Sequence, residues 1–237
     1  MKTKYIISIL ILSLSLVVIG QTTIHTPWGT SVSVTEPDEG DLSGRLYWED
    51  LRRGQWPNAD YKTTWPVTGY PNLSSTFRFN CHGYAWHMFW FGEDYELDEP
   101  VKMEYTEAGN YFNDHSFKEC TQAEADIWWI NGGSHSAVAT DNPAFLKSKW
   151  ADGPLATHRI AESPYPPNMS YTTFYKKCLY ESTGTIYTDN TMVHCAVRFD
   201  NTIVSNYVDL EIVYEEGVLI VGTFSTGTGA TLYFHPD

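Results

Sequence analysis

The sequence predicts an α+β protein in which a central buried helix packs on an antiparallel sheet, with a small all-β appendage after it. Three observations carry this. From Gly83 to Phe91 the apolar groups at 84, 85, 88, 89 and 91 have helical spacing, and Trp86 and Trp90 widen the face until it is apolar almost all round. Between 134 and 160, short strand-like runs are separated by Asp141-Asn142-Pro143 and Ala151-Asp152-Gly153-Pro154, the pattern of an antiparallel meander. After about Ser182 the texture changes to Thr, Val, Ile and Gly with few helix formers. The expected division is an export signal over 1–20, a main domain over 21–182 and a β-rich domain over 183–237.

Each element follows in order. Lys2 and Lys4 precede an apolar stretch over 6–19, then small Gly20 and polar Gln21, the layout of a cleavable signal with Val18 and Gly20 before the cut. An N-terminal anchor is the alternative, but the apolar stretch is short for a membrane span. Over 22–41, alternating Ser31-Val32-Ser33-Val34 predicts a short strand and Pro37-Asp38-Glu39-Gly40 an acidic turn. A helix is expected within 42–65, and a loop over 66–75 with Gly69, Pro71 and Asn72. The central helix starts at Asn80 or Cys81 and ends at Gly92-Glu93-Asp94. The acidic stretch 95–129 has little period and suggests a short helix over 122–128. Strands are expected over 134–140, 144–150 and 155–160, closed by Ser163-Pro164-Tyr165-Pro166-Pro167. In the appendage, strand candidates span 191–199, 204–213, 218–224 and 230–234. A unit that small must lean on the first domain, on other copies or on further sequence.

The 237 residues carry 15 Lys+Arg against 29 Asp+Glu. Loss of Lys2 and Lys4 with the signal deepens the formal charge from −14 to −16. Such acidity repels phosphate backbones and anionic headgroups, which argues against nucleic acid, and with no stop-transfer pattern after the apolar stretch no membrane insertion is expected once the signal is cleaved. Nine Trp and 16 Tyr fill a core and also suit grooves that hold peptide or glycan. Cys81, Cys120, Cys178 and Cys195 allow three full pairings, and a catalytic Cys81 leaves an odd thiol among the rest.

The chemistry concentrates in Phe79-Asn80-Cys81-His82-Gly83-Tyr84-Ala85-Trp86 and in the later Gly133-Ser134-His135-Ser136-Ala137-Val138-Ala139. A cysteine at a helix start gains from the positive end of the helix dipole, which favours its thiolate. His135, flanked by small residues, is the candidate base. Asn80 is a candidate oxyanion donor together with the Cys81 backbone N–H. His82 and His87 read as packing or supporting groups. A zinc site from Cys81, His82 and His135 would need adjacent ligands that strain tetrahedral geometry, so neither metal nor cofactor is expected.

These residues resemble the papain-like cysteine hydrolases, a broad group that includes bacterial murein endopeptidases and amidases. The resemblance covers about residues 76–166. It implies a cysteine at the start of a central helix, a histidine on an antiparallel strand and a third polar residue one strand further on. Cys81 and His135 match the first two. Leu146-Lys147-Ser148-Lys149-Trp150 resembles the segment that supplies an orienting asparagine and a covering tryptophan, so Trp150 takes the tryptophan's place and Ser148 falls where asparagine is expected. His158 is the preferred substitute, as murein-cleaving relatives use a second histidine there, and Asp141 and Asn142 are further candidates. The family's glutamine six residues before the cysteine is replaced by Ser75, so its oxyanion arrangement does not carry over. Asn80 through Trp86, with the later Ser148-Lys149-Trp150 and Gly153-Pro154-Leu155, also resembles exported proteins of Bacteroidetes.

The expected function is a cysteine-dependent hydrolase, a peptidase or amidase working through a thioester. Its substrate would be protein or a murein-derived peptide, met in the periplasm, on the outer surface or in the medium. The alternatives are an envelope binding or structural protein that keeps the scaffold without turnover, and an acyl transferase using the same thioester.

Overall fold

The computed structural model describes residues 21–35, 38, 40–64, 67–91, 100–186, 190–206 and 209–236. The expected signal and the helix stop at Gly92-Glu93-Asp94 lie outside the described residues. The architecture is α+β, with helices packed on an antiparallel sheet and a separate small β region.

The alternating Ser-Val repeat forms half of a hairpin, β1 (Gln21–His25) with β2 (Ser31–Thr35), which turns Val32 and Val34 into the core. Asp41 then caps α1 (Leu42–Gln55) through its carboxylate, which accepts from the Gly44 N–H. α1 buries two charged groups that hold the loop leading to Cys81. Glu49 accepts from the backbone of Ser74 and Ser75 at 3.2 and 2.7 Å and from Arg53 at 2.7 Å, while Arg45 donates to the Ser75 carbonyl at 2.7 Å. Each buried charge is thereby hydrogen-bonded, which burial requires.

After β3 (Asp60–Lys62) comes the central helix, and its body is a π-helical segment (Gly83–Met88) running into α2 (Phe89–Phe91) rather than a regular α-helix. The wider turn carries one more residue than an α-turn, and all six residues of the segment are buried. Gly83 is needed for this packing, because a Cβ there would lie 1.9 Å from the Val101 carbonyl oxygen. α3 (Tyr105–Asn113), absent from the sequence reading, packs beside the helix.

The main sheet has seven strands in the order β3-β8-β7-β6-β5-β9-β4, every pair antiparallel. It contains β4 (Phe117–Glu119), β5 (Ile127–Ile130), β6 (His135–Ala139), β7 (Phe145–Lys149), β8 (Leu155–Arg159) and β9 (Thr173–Lys177). The meander expected over 134–160 is β6-β7-β8. The helix expected over 122–128 is corrected: only Gln122–Glu124 turns, as a 3-10 helix closed by a Thr121/Glu124 capping box, and Ile127–Ile130 is a strand. Ile-Trp-Trp-Ile is buried on both faces in the middle of the sheet, an environment that suits β-branched and aromatic side chains. Trp86 sits at the centre of the core with the rings of Tyr111, Phe112, Phe117, Trp129 and Tyr175 between 5.1 and 6.4 Å away.

The C-terminal strands are β10 (Leu179–Ile186), β11 (Asn190–Val204), β12 (Asp209–Thr226) and β13 (Thr231–Pro236), and every pair is parallel. Consecutive parallel strands ordinarily need a long crossover. Here Asn190 pairs with Leu210 and Asp209 with Thr231, so about twenty residues bring the chain back beside itself. A straight run of β11 would span about 50 Å and could not return over its short connection. The strands must therefore wrap, and register shifts at Thr183/Gly184, His194/Ala196 and Asp200/Thr202 mark where they bend. The result is a β-solenoid with Phe199, Val204, Leu210 and Ile212 inside. Its strands are longer than the candidates the sequence suggested, and the first begins at Leu179.

Gly83→Ala should destabilise the protein by about 2 kcal/mol or more in urea denaturation, since neither the Val101 carbonyl nor the helix start can yield without disturbing the core.

Candidate active site

Asn80 and β6 set the geometry around Cys81. The Asn80 side-chain oxygen accepts from Gly83 N–H at 2.9 Å and from Met103 N–H at 3.2 Å, and its amide nitrogen donates to the Met103 carbonyl at 2.8 Å. Asn80, expected as an oxyanion donor, is here the helix cap and a clamp on the neighbouring segment. Cys81 is a buried free thiol whose sulfur takes backbone hydrogen bonds from Ser136 and His82. Burial pushes this thiol up, while the Ser136 N–H and the Lys149 charge pull it down. The helix start was expected to lower it; enclosure by the core outweighs that effect.

His135 stands immediately before Ser136 and is 1% exposed. Its ring stacks on Tyr165, centroids 4.2 Å apart at 18°, and neither ring nitrogen has a hydrogen-bond partner. Burial, helped by the nearby His82 and His158, pushes its pKa well below the ordinary value, so the imidazole is neutral. The imidazole stands one residue along β6 from the Ser136 backbone that reaches the sulfur, and no hydrogen bond joins it to Cys81. Tyr165 belongs to a strap tied to the turn before β6. Asn131 donates to the Pro166 carbonyl at 3.3 Å and accepts from Asn168 N–H at 2.7 Å.

Two Trp-Ser-His chains flank His135. In one, His158 Nδ1 donates to the Arg159 carbonyl at 2.9 Å, which leaves Nε2 to accept from the Ser148 hydroxyl at 2.9 Å, and Ser148 Oγ accepts from the Trp150 indole at 3.0 Å. In the other, the Ser136 hydroxyl lies 2.8 Å from His82 Nδ1 and accepts from the Trp86 indole at 2.9 Å. The backbone hydrogen bond of His82 to Gly133 occupies the far side of that ring, so Nδ1 accepts from Ser136. Burial holds His82 down to about 4. Ser148, Trp150 and His158 therefore come together, and neither Ser148 nor His158, the residues expected to fix the His135 ring, hydrogen-bonds it here. Trp150 also packs edge-on against Trp56 and Tyr61. Asp141 and Asn142 follow the far end of β6, exposed in the turn to β7, where Asn142 accepts from Ala144 N–H at 3.1 Å. Ser75 keeps a buried hydroxyl with no partner.

The sequence reading missed Ser136, Tyr165 and Lys149. Ser136 was legible only as a small neighbour of His135, and Tyr165 as part of a Pro-rich turn. Lys149 is wholly buried, donates to the carbonyls of Ala151 and Gly153, the latter at 2.6 Å, and lies 5.3 Å from the Phe79 ring centroid. Burial lowers it to about 7. Cys178 is disulfide-bonded and Cys120 is free. Among the described residues no three His, Cys, Asp or Glu side chains are grouped so as to hold a metal ion, and no helix is long and apolar enough to cross a membrane. Compared with known proteins, the chain matches no family model, no curated protein and no solved structure.

Removing the ring that covers His135 should open the site. In a Cys120→Ser background, Tyr165→Ala should speed carboxymethylation of Cys81, followed by mass spectrometry, by roughly two- to tenfold, the rate equivalent of the about 0.5–1.5 kcal/mol an aromatic pair contributes. The buried neutral histidines also set a pH dependence. His82 and His87 are held down to about 4, whereas in the unfolded chain they take up protons below about 6.5. Their contribution to stability is complete above about 6.5 and is lost as pH falls through about 4, so urea midpoints should drop across that window, and less in His82→Gln.

Proposed function

We propose that this chain is a cysteine-dependent hydrolase of the papain-like kind that cleaves an amide or peptide bond, with murein stem peptides or protein as substrate. The observation that carries the reading is the Cys81 sulfur at a buried helix start, hydrogen-bonded to the backbone of the residue that follows a buried, neutral and unpartnered imidazole. His135 takes the thiol proton, and the thiolate attacks the substrate carbonyl. The protonated His135 then gives that proton to the departing amine, leaving a thioester. Water, deprotonated by the same imidazole, attacks the thioester and releases acid and free thiol. The backbone N–H groups that reach the sulfur stabilise it as a thiolate. Trp150, enclosed by Trp56 and Tyr61, keeps water from the face of the sheet that bears His135.

A second reading is an envelope binding protein that keeps this scaffold without turnover. The upward push of burial on Cys81 and the closed position of Tyr165 favour it. The two readings separate on thiol chemistry: a hydrolase shows rapid iodoacetamide reaction at Cys81 at mildly acidic pH, and a silent scaffold shows none.

The direct test is turnover of murein stem peptides and of unfolded protein by the exported chain. Cys81→Ser should abolish it with an unchanged denaturation curve, and His135→Gln should reduce it by roughly 10²- to 10⁴-fold. Full activity of Cys81→Ser on a confirmed substrate would remove the nucleophile from the mechanism.

A further inference from the structure

Lys149 ends β7 with its ammonium sealed from water. A buried cation needs compensation. The carbonyls of Ala151 and Gly153 take two of its three protons, in a turn that holds Ala151 at φ 50°, and the Phe79 ring offers its face two residues before Cys81. Among the described residues Lys149 has no carboxylate in ion-pair contact. Asp152 acts on it from further away and is shared with Lys102, 3.9 Å distant, while Lys102 and Arg45 oppose its charge. Lys149 shares its face of β7 with Lys147, the register partner of Val138, so it points to the side of the sheet that packs on the helix begun by Cys81, and thiolate and ammonium there each favour the charged form of the other. His135 cannot supply a resting positive charge, being held neutral by enclosure beside His82 and His158. Tyr165, stacked on His135, feels the same sulfur.

We propose that Lys149 is a positioning residue whose buried ammonium is the resident counter-charge of the Cys81 thiolate. The ammonium then faces the thiolate that forms when His135 takes the thiol proton, and the imidazolium is left to protonate the leaving amine. The proposal rests on the hydrolase reading for its purpose, but its test does not need turnover.

The test uses the exported chain in a Cys120→Ser background, with iodoacetamide as probe and the rate at Cys81 recorded from pH 5 to 10. Lys149→Met should move the midpoint of the rate profile upward by about one unit, slowing reaction below the midpoint on the order of tenfold while leaving the high-pH plateau unchanged. Lys149→Arg should restore part of the shift. A purely structural role would lower the plateau or the unfolding midpoint without moving the titration. Should Lys149→Met fail to fold, the same pair is read from the other partner. With ¹³C-labelled lysine, the Lys149 ε-carbon signal should titrate at lower pH in Cys81→Ser than in the parent. An unchanged midpoint in the rate profile, or in the lysine titration where that is the measurement, overturns the proposal. A shifted midpoint without detectable turnover leaves the pair standing and removes the hydrolase reading alone.

Discussion

Ser136 is the point on which the candidate site turns. Its hydroxyl receives the Trp86 indole and gives its proton to His82, while its backbone N–H reaches the Cys81 sulfur. One residue thus joins the central helix to the middle of the sheet by side chain and main chain together. Because Trp86 is also the hub of the aromatic core, the location of the thiol is set by the best-packed part of the molecule rather than by a loop. An alanine at 136 would leave the buried indole N–H and one side of the His82 ring without partners, and the cost of such unpaired groups is what makes the junction specific.

The same Trp-Ser-His arrangement occurs twice, as Trp86-Ser136-His82 and as Trp150-Ser148-His158. Alternation along β6 and β7 explains this. Ser136 faces the central helix, whereas His135, one residue earlier, shares the opposite face with Ser148 and Trp150, so the imidazole is enclosed from both directions by polar chains that are already satisfied internally. Such chains consume their own hydrogen-bonding capacity and leave His135 alone with free nitrogens. A buried, unsatisfied imidazole is costly, and a group that completes its bonding only in another state is the economical explanation of that cost.

Much of this was legible from residue spacing. The meander over 134–160 has strong turn residues and short alternating runs, and the Cys81 segment has an unmistakable apolar helix, so both were placed correctly. The π-turn was hidden, because a near-continuous apolar run does not reveal its period. α3 was hidden for another reason: Tyr105–Asn113 includes Gly109 and Asn110, weak helix formers held in place by contacts with the hairpin and the core. Lys147 and Lys149 look like the solvent side of a strand, yet both are buried, over the rings of Tyr84 and Phe79. Aromatic faces accept ammonium groups, and no spacing rule pairs a lysine on one element with a ring on another. The solenoid escaped for a related cause, since its pairing is between residues about twenty positions apart and depends on bends that short strand patterns do not encode.

The coiled C-terminal region behaves unlike the rest of the molecule in one respect. In the seven-stranded sheet, strands distant in sequence interlock, so length cannot change without rebuilding neighbours. In the coil each winding touches only the windings before and after it. Whole windings can therefore be gained or lost while the upstream sheet keeps its geometry, so the length of this region is set by counting turns.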